Sequence, residues 1–247
     1  MRYYRRSLVP SSARLLPFLS APGAAQMALD ESMLTQAPAL RFYTWNPPAL
    51  SLGRNQRVLP HWSSLSSLGL DVVRRPTGGR AVLHQADLTY ALVLPAAWLS
   101  GRRCQIYRQL CTFLIEGLRE FGVELSFGCT GRGYIHNPSC FGTATDADLV
   151  LNDGRKLIGS AQVWRHGAVL QHGSIQLAPD ANLWRYVFGP ETPEPLGLVD
   201  LLGYSREQLP DLIQQLTESL TGKAERWLGD MPSRASVPSI AASDHGN

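Results

Sequence analysis

The stretch from Ala147 to Leu177, reading ADLVL, NDG, RKLIGSAQVW, RHG and AVLQHGSIQL, constrains the fold more than any other part of the chain. Asn152-Asp153-Gly154 stands between two runs of alternating apolar and polar residues. An Asx-Gly pair readily takes the positive φ that a tight hairpin needs, so the two runs are expected to pair antiparallel. A second turn at Arg165 to Gly167 returns the chain along AVLQHGSIQL and completes a three-stranded meander. An all-helical fold is thereby excluded.

The rest of the chain supplies what must cover that sheet. A helix is expected from Ala24 to Gln36, with Met27, Leu29, Met33 and Leu34 as its apolar stripe, and another from Cys104 to Phe121, where Ile106, Leu110, Phe113, Leu114 and Leu118 recur at helical spacing before Gly122. Strands are expected at 40–45, 49–53, 70–75, 81–83 and 88–94, and an amphipathic helix from Arg206 to Leu228. The 247 residues suit one domain. The expected organisation is an α+β fold with a mixed or antiparallel central sheet flanked by helices, spanning 16–230, with an N-terminal extension at 1–15 and a disordered Ser-, Ala- and Pro-rich tail at 231–247. No run approaches the roughly 18 to 20 apolar residues that cross a bilayer. Pro10, Ser11, Ser12, Arg14 and Pro17 interrupt the N-terminal apolar stretch, so a cytoplasmic protein without membrane contact is expected.

Composition singles out two residue types. Of 23 basic residues only Lys156 and Lys223 are lysines. A lysine can lose its proton in a buried site and an arginine cannot, so Lys156 is either a chemical group or a plain surface ammonium. Cys104, Cys111, Cys129 and Cys140 are spaced by 7, 18 and 11 residues without a CxxC pair, which excludes zinc and redox-pair readings and leaves no metal site. A net charge of +3 is too small to imply nucleic acid.

Three segments depart from ordinary packing. In Arg74-Arg75-Pro76-Thr77-Gly78-Gly79-Arg80, followed by Ala81 to His84, two glycines leave main-chain N–H groups open to a ligand, although a tight hairpin has the same need. On the strand that starts at Lys156, period-two geometry places Lys156, Ile158, Ser160 and Gln162 on one face, with Leu157, Gly159 and Ala161 on the other. Small residues here, and Gln171, His172, Gly173 and Ser174 opposite, suit a ligand lying on the sheet or a solvated face. Third, Cys140 lies in the loop Asn137 to Phe141, where a thiol can act as nucleophile with Lys156, sixteen residues on, as its base. Cys129 is its rival. Burial is expected to lower the Lys156 pKa enough for that role, and backbone N–H groups near Cys140 or Gly159 are candidate oxyanion donors.

Together RRPTGGRAVLH, the SCF loop, GRKLIGSAQVW and LQHGSI, in that order, resemble the biotin/lipoate protein ligase and transferase superfamily, nearest its LipM-type octanoyltransferase branch; MALDES and LRFYTWNPPALSLGRNQ add to the likeness. The resemblance implies a class II synthetase-like catalytic domain. It further implies transfer of an octanoyl group from acyl carrier protein to a lysine of lipoyl domains or the glycine-cleavage H protein, through a Cys140 thioester, with Lys156 as the essential lysine. Arg75, Thr77, Gly78, Gly79, His84, Gly159, Ser160, Ala161, Gln162 and His172 are then the substrate-binding residues. No cofactor is needed, and a monomer is expected. Asp87 stands where the family usually has Glu, and Trp164 near a position often held by Arg. The alternative is an ATP- and Mg-dependent lipoate ligase, with Gly78 and Gly79 cradling an acyl-adenylate and Lys156 on its phosphate; a non-catalytic acyl-binding module is the third reading. Arg2, Arg5, Arg6 and Arg14, or Arg102, Arg103 and Arg108, are candidate contacts for an acidic carrier.

Overall fold

Alternating strands with small residues at their centres produce two sheets of unequal size, and the candidate site lies where they face one another. The computed structural model describes residues 13–128, 139–141 and 148–231. Along the chain run β1 (Arg14–Leu15), β2 (Leu19–Ala21), α1 (Gly23–Met33), β3 (Ala39–Trp45), β4 (Ala49–Leu52), β5 (Asp71–Arg74), β6 (Val82–His84) and β7 (Asp87–Pro95). After these come α2 (Arg103–Leu110), α3 (Thr112–Arg119), β8 (Ser126–Phe127), β9 (Leu149–Val150), β10 (Lys156–Arg165), β11 (Ala168–Gln176), α4 (Ala181–Phe188), α5 (Leu198–Leu202) and α6 (Leu209–Asp230).

The large sheet has the order β1-β3-β7-β11-β10-β9-β8, with β2 also on β3. It is mixed: β1 and β2 run parallel to β3, and the other pairs are antiparallel. The expected meander is present as β9-β10-β11, with Gly154 at φ +83° in its first turn. The small sheet, order β5-β4-β6, contains the strands on either side of the glycine pair.

Both faces of the large sheet are buried. Leu88, Tyr90, Leu92 and Leu94 of β7 pack with Leu110, Phe113, Leu114 and the α6 stripe Leu212, Leu216 and Leu220, whereas Ala91 and Val93 join Met27 and Met33 of α1 on the other face. Each leucine so buried contributes about 1.5 to 3 kcal/mol of transfer free energy. The α3–α6 contact is close: a Cβ on Gly117 would stand 2.5 Å from Leu220 Cδ2.

Three local expectations are corrected. The helix over 104–121 is two helices, broken at Cys111, whose Sγ accepts a hydrogen bond from Gln171 Nε2 at 3.3 Å and is drawn toward the sheet. Helix α1 ends at Met33, and its inner face carries Gln26 and Asp30, both fully buried, where a purely apolar stripe was expected. Lys156 is on the opposite face of β10 from the one period-two counting assigns. Lys156 pairs with Val150 but Ile158 with Leu149, and this bulge turns Lys156 onto the face of Gly159. Residues 1–12 of the expected extension and 232–247 of the expected tail lie outside the described residues. No helix among the described residues is long and apolar enough to cross a membrane.

Candidate active site

The nucleophile candidate and its partner come from different sheets. Ala81, which follows the glycine turn, bridges Ser139, and the Cys140 N–H donates to the Ala81 carbonyl at 2.8 Å. Cys140 therefore hangs from the small sheet. Lys156 reaches it from the large one, donating to the Cys140 carbonyl at 2.7 Å and to Sγ at 3.2 Å. The ammonium also lies 2.9 Å from Asp148 Oδ1 and 4.9 Å from the centre of the Phe141 ring.

Gly159 makes this approach possible. A Cβ there would come within 2.9 Å of Lys156 Cε and 3.4 Å of Cys140 Sγ. Burial disfavours the Lys156 charge, but attraction from the Cys140 thiolate and the Asp148 carboxylate outweighs it, so its pKa is held above the ordinary lysine value. This corrects the expectation of a lowered pKa: desolvation is present, but it is overcome. Lys156 rests as a cation beside the sulfur. The Cys140 amide, already given to Ala81, is not an open oxyanion donor.

Beside this pair lies a cavity with about 530 Å³ of empty space, its mouth included, lined by Met27, Tyr43, Trp45, Val82, Gly173 and Ala161 among others. Of the residues singled out in the sequence, Arg75, Gly79, His84, Cys140, Gly159, Ser160, Ala161 and His172 line it. Thr77 and Gly78 do not: Thr77 is buried against His172, and Gly78 is exposed. Gln162 is on the helix-covered face, donating to Gln171 Oε1 at 2.7 Å. The Ser160 hydroxyl also points to that face, 2.8 Å from Tyr90 OH. Cys129 is outside the described residues, Cys111 is buried, and Cys104 is exposed on α2. Trp164 is half-buried at the far end of β10, its Nε1 3.4 Å from Gln162 Oε1.

The polar groups of the wall satisfy one another. Arg75 Nη1 donates to the Ser51 carbonyl at 2.9 Å, Nη2 to the carbonyls of Gly78 and Arg80 at 2.8 and 2.7 Å, and Nε to Thr77 Oγ1 at 3.2 Å. Its guanidinium thus holds the glycine turn. Ser51 Oγ lies 2.8 Å from His84 Nε2, and His84 Nδ1 2.8 Å from Asp87 Oδ2, which also accepts from Thr89 and Ser174. Burial keeps the His84 pKa below the usual histidine value despite Asp87. His84 stacks on Trp45 with ring centres 3.9 Å apart. A polar network closed on itself presents little unmet hydrogen bonding to a ligand and lets an alkyl chain lie against it. Asp148, Asp30 and Ser51 were not anticipated as site residues, although MALDES contains Asp30, LRFYTWNPPALSLGRNQ contains Ser51 and ADLVL contains Asp148.

Residues 22–194 match the lipoyl protein ligase A/B catalytic domain. This chain belongs to that family. Octanoyltransferase LipM of Carboxydothermus hydrogenoformans is 40% identical over 179 residues, covering 68% of this chain and 66% of the relative; that of Symbiobacterium thermophilum is 38% identical over 186 residues, covering 69% and 67%. The matched region spans about two thirds of those relatives. Among solved structures, lipoate-protein ligase A bound with ATP superposes with a TM-score of 0.64 at 21% identity, covering 89% of this chain and 94% of that one. A bipartite lipoate protein ligase from Thermoplasma acidophilum, described with its E2 lipoyl domain, gives 0.59 at 22%, covering 89% and 92%. Members of the lipoyl protein ligase A/B family therefore share this fold, as the sequence motifs implied.

Proposed function

We propose that this chain is an octanoyltransferase of protein lipoylation. It takes an octanoyl group from an acyl carrier protein thioester onto Cys140 and passes it to a lysine of a lipoyl domain or of the glycine-cleavage H protein. The observation that carries this reading is the Cys140 Sγ to Lys156 Nζ contact of 3.2 Å beside the cavity. The likeness to LipM octanoyltransferases at 38 to 40% identity supports the acyl group and the reaction class.

The charges give each step a place for its proton. Cys140 thiolate attacks the thioester carbonyl, a new carbon–sulfur bond forms, and the carrier sulfur leaves. Lys156 gives that sulfur its proton. With Cys140 acylated, the thiolate that had favoured the ammonium is gone while burial and the Asp148 carboxylate remain, and Lys156, having given its proton to the carrier sulfur, stands beside the new thioester as the base. The acceptor amine then attacks, its proton passes to Lys156, and the amide forms as Cys140 leaves as thiolate. The starting ion pair is restored. Thioester to thioester to amide runs downhill, so no nucleotide is consumed.

Transfer to a purified lipoyl domain tests the reading. The wild-type protein, given octanoyl carrier protein without ATP, should octanoylate the domain, and Cys140→Ala should not. Transfer that requires ATP and lipoate and persists in Cys140→Ala would establish the ligase alternative instead.

A further inference from the structure

The Cys140–Lys156 distance depends on how the two sheets are fastened, because each sheet carries one member of the pair. One of the fastenings runs through a carboxylate on α1. Asp30 of α1 is fully buried and accepts from Arg41 Nε at 3.0 Å, Tyr43 OH at 2.9 Å and His172 Nδ1 at 2.6 Å. On the other edge of the imidazole, His172 Nε2 lies 2.7 Å from Thr77 Oγ1. Arg75 Nε donates to that same oxygen, which leaves the hydroxyl hydrogen for the histidine.

Topology gives this line its consequence. His172 is on β11, two residue pairs along from Gly159, over which Lys156 lies: Ala161 pairs with His172 and Gly159 with Ser174. Thr77 opens the turn that ends at Ala81, from which Cys140 hangs. The bond between His172 and Thr77 thus spans the gap between the sheet holding the lysine and the turn holding the cysteine. A carboxylate on one ring nitrogen fixes both the tautomer and the orientation of the ring, as in metal and catalytic sites.

We propose that Asp30 is a positioning residue: through His172 and Thr77 it sets the separation of Cys140 Sγ from Lys156 Nζ, and with it the reactivity of the thiol. The claim deepens the transfer reading, yet its primary readout, thiol alkylation, does not depend on which acyl group is moved. Failure of the one is therefore distinguishable from failure of the other.

The test compares iodoacetamide alkylation of Cys140, followed by peptide mass spectrometry across pH 5 to 9, in the full chain and in Thr77→Val, Thr77→Ser and Asp30→Asn. Thr77→Val keeps the shape and removes the hydroxyl; Asp30→Asn removes the carboxylate charge. In each, alkylation at pH 6 should slow by about tenfold, because the ammonium that lies 3.2 Å from the sulfur is displaced from it. The transfer kcat should fall while KM stays within about twofold, because a mispositioned nucleophile affects chemistry more than binding. Thr77→Ser should restore both. Melting temperature and circular dichroism identify the variants that fold, and Thr77→Val carries the test if Asp30→Asn, which strands buried Arg41, does not. Wild-type alkylation profiles in a folded Thr77→Val, even with a lowered melting temperature, would overturn the proposal and leave Asp30 a purely structural anchor.

Discussion

Lys156 Nζ and Asp148 Oδ1 face one another at 2.9 Å with both side chains about 3% exposed. Breaking such a pair by removing one partner costs about 3 to 5 kcal/mol, because the other charge stays buried without compensation. Asp148→Asn should therefore lower stability in urea by an amount of that order and suppress transfer. Adding Lys156→Met should recover much of the stability and none of the activity. Because the Lys156 pKa is raised on folding, its contribution is complete below the ordinary lysine value of 10.5 and is lost only as pH rises beyond it.

Gly159→Ala separates folding from chemistry. The new methyl would meet the flexible end of Lys156 at 2.9 to 3.0 Å and the Cys140 sulfur at 3.4 Å. Side-chain ends can move, so the fold should survive with about 1 kcal/mol lost. The ammonium should be pushed off the sulfur, and steady-state transfer should fall at least tenfold at unchanged carrier KM, a loss of more than about 1.4 kcal/mol in transition-state stabilisation.

The meander, the helix-covered sheet and the glycine turn were all readable, because each rests on local periodicity or on a turn that only certain residues make. What escaped the sequence depended on distant or irregular geometry. A bulge between Lys156 and Ile158 reversed the face of Lys156, and counting by twos has no term for an inserted residue. Asp30 meets His172 across 142 positions, and Ser51 meets His84 across 33, so no spacing rule links them. Cys140 and Lys156 were legible through residue chemistry, a lysine kept in an arginine-rich chain and a thiol on a loop. The charge state of Lys156 was not, because it depends on Asp148, whose approach only the folded chain reveals.

His84 makes the fold sensitive to acid. Burial depresses its pKa below 6.5 in the folded state, so on acidification the unfolded chain takes up the proton first. Stability should be flat above the unfolded value and fall as pH drops through about 6.5, by up to about 1.4 kcal/mol per unit for this one group. Urea midpoints between pH 8 and 5 measure the slope, and His84→Gln should flatten it. An unchanged slope in that variant would assign the acid sensitivity to other groups.

The three described thiols should react in a fixed order. Burial pushes the Cys111 pKa up to about 12, against which its hydrogen bonds from Gln171 and Tyr90 act only weakly. Cys111 should stay unmodified in the native protein at pH 8, where exposed Cys104 and half-buried Cys140 are alkylated. Peptide mapping after brief alkylation checks the order, and rapid labelling of Cys111 would show that α2 and α3 open in the native state.

The most direct measurement is the intact mass of the protein after brief mixing with octanoyl carrier protein, without nucleotide or acceptor, followed by peptide mapping. The account predicts one added octanoyl group, held as a hydroxylamine-sensitive thioester on Cys140, absent in Cys140→Ala and discharged when a lipoyl domain is added. No adduct, or an adduct on another cysteine that the lipoyl domain discharges, would contradict it.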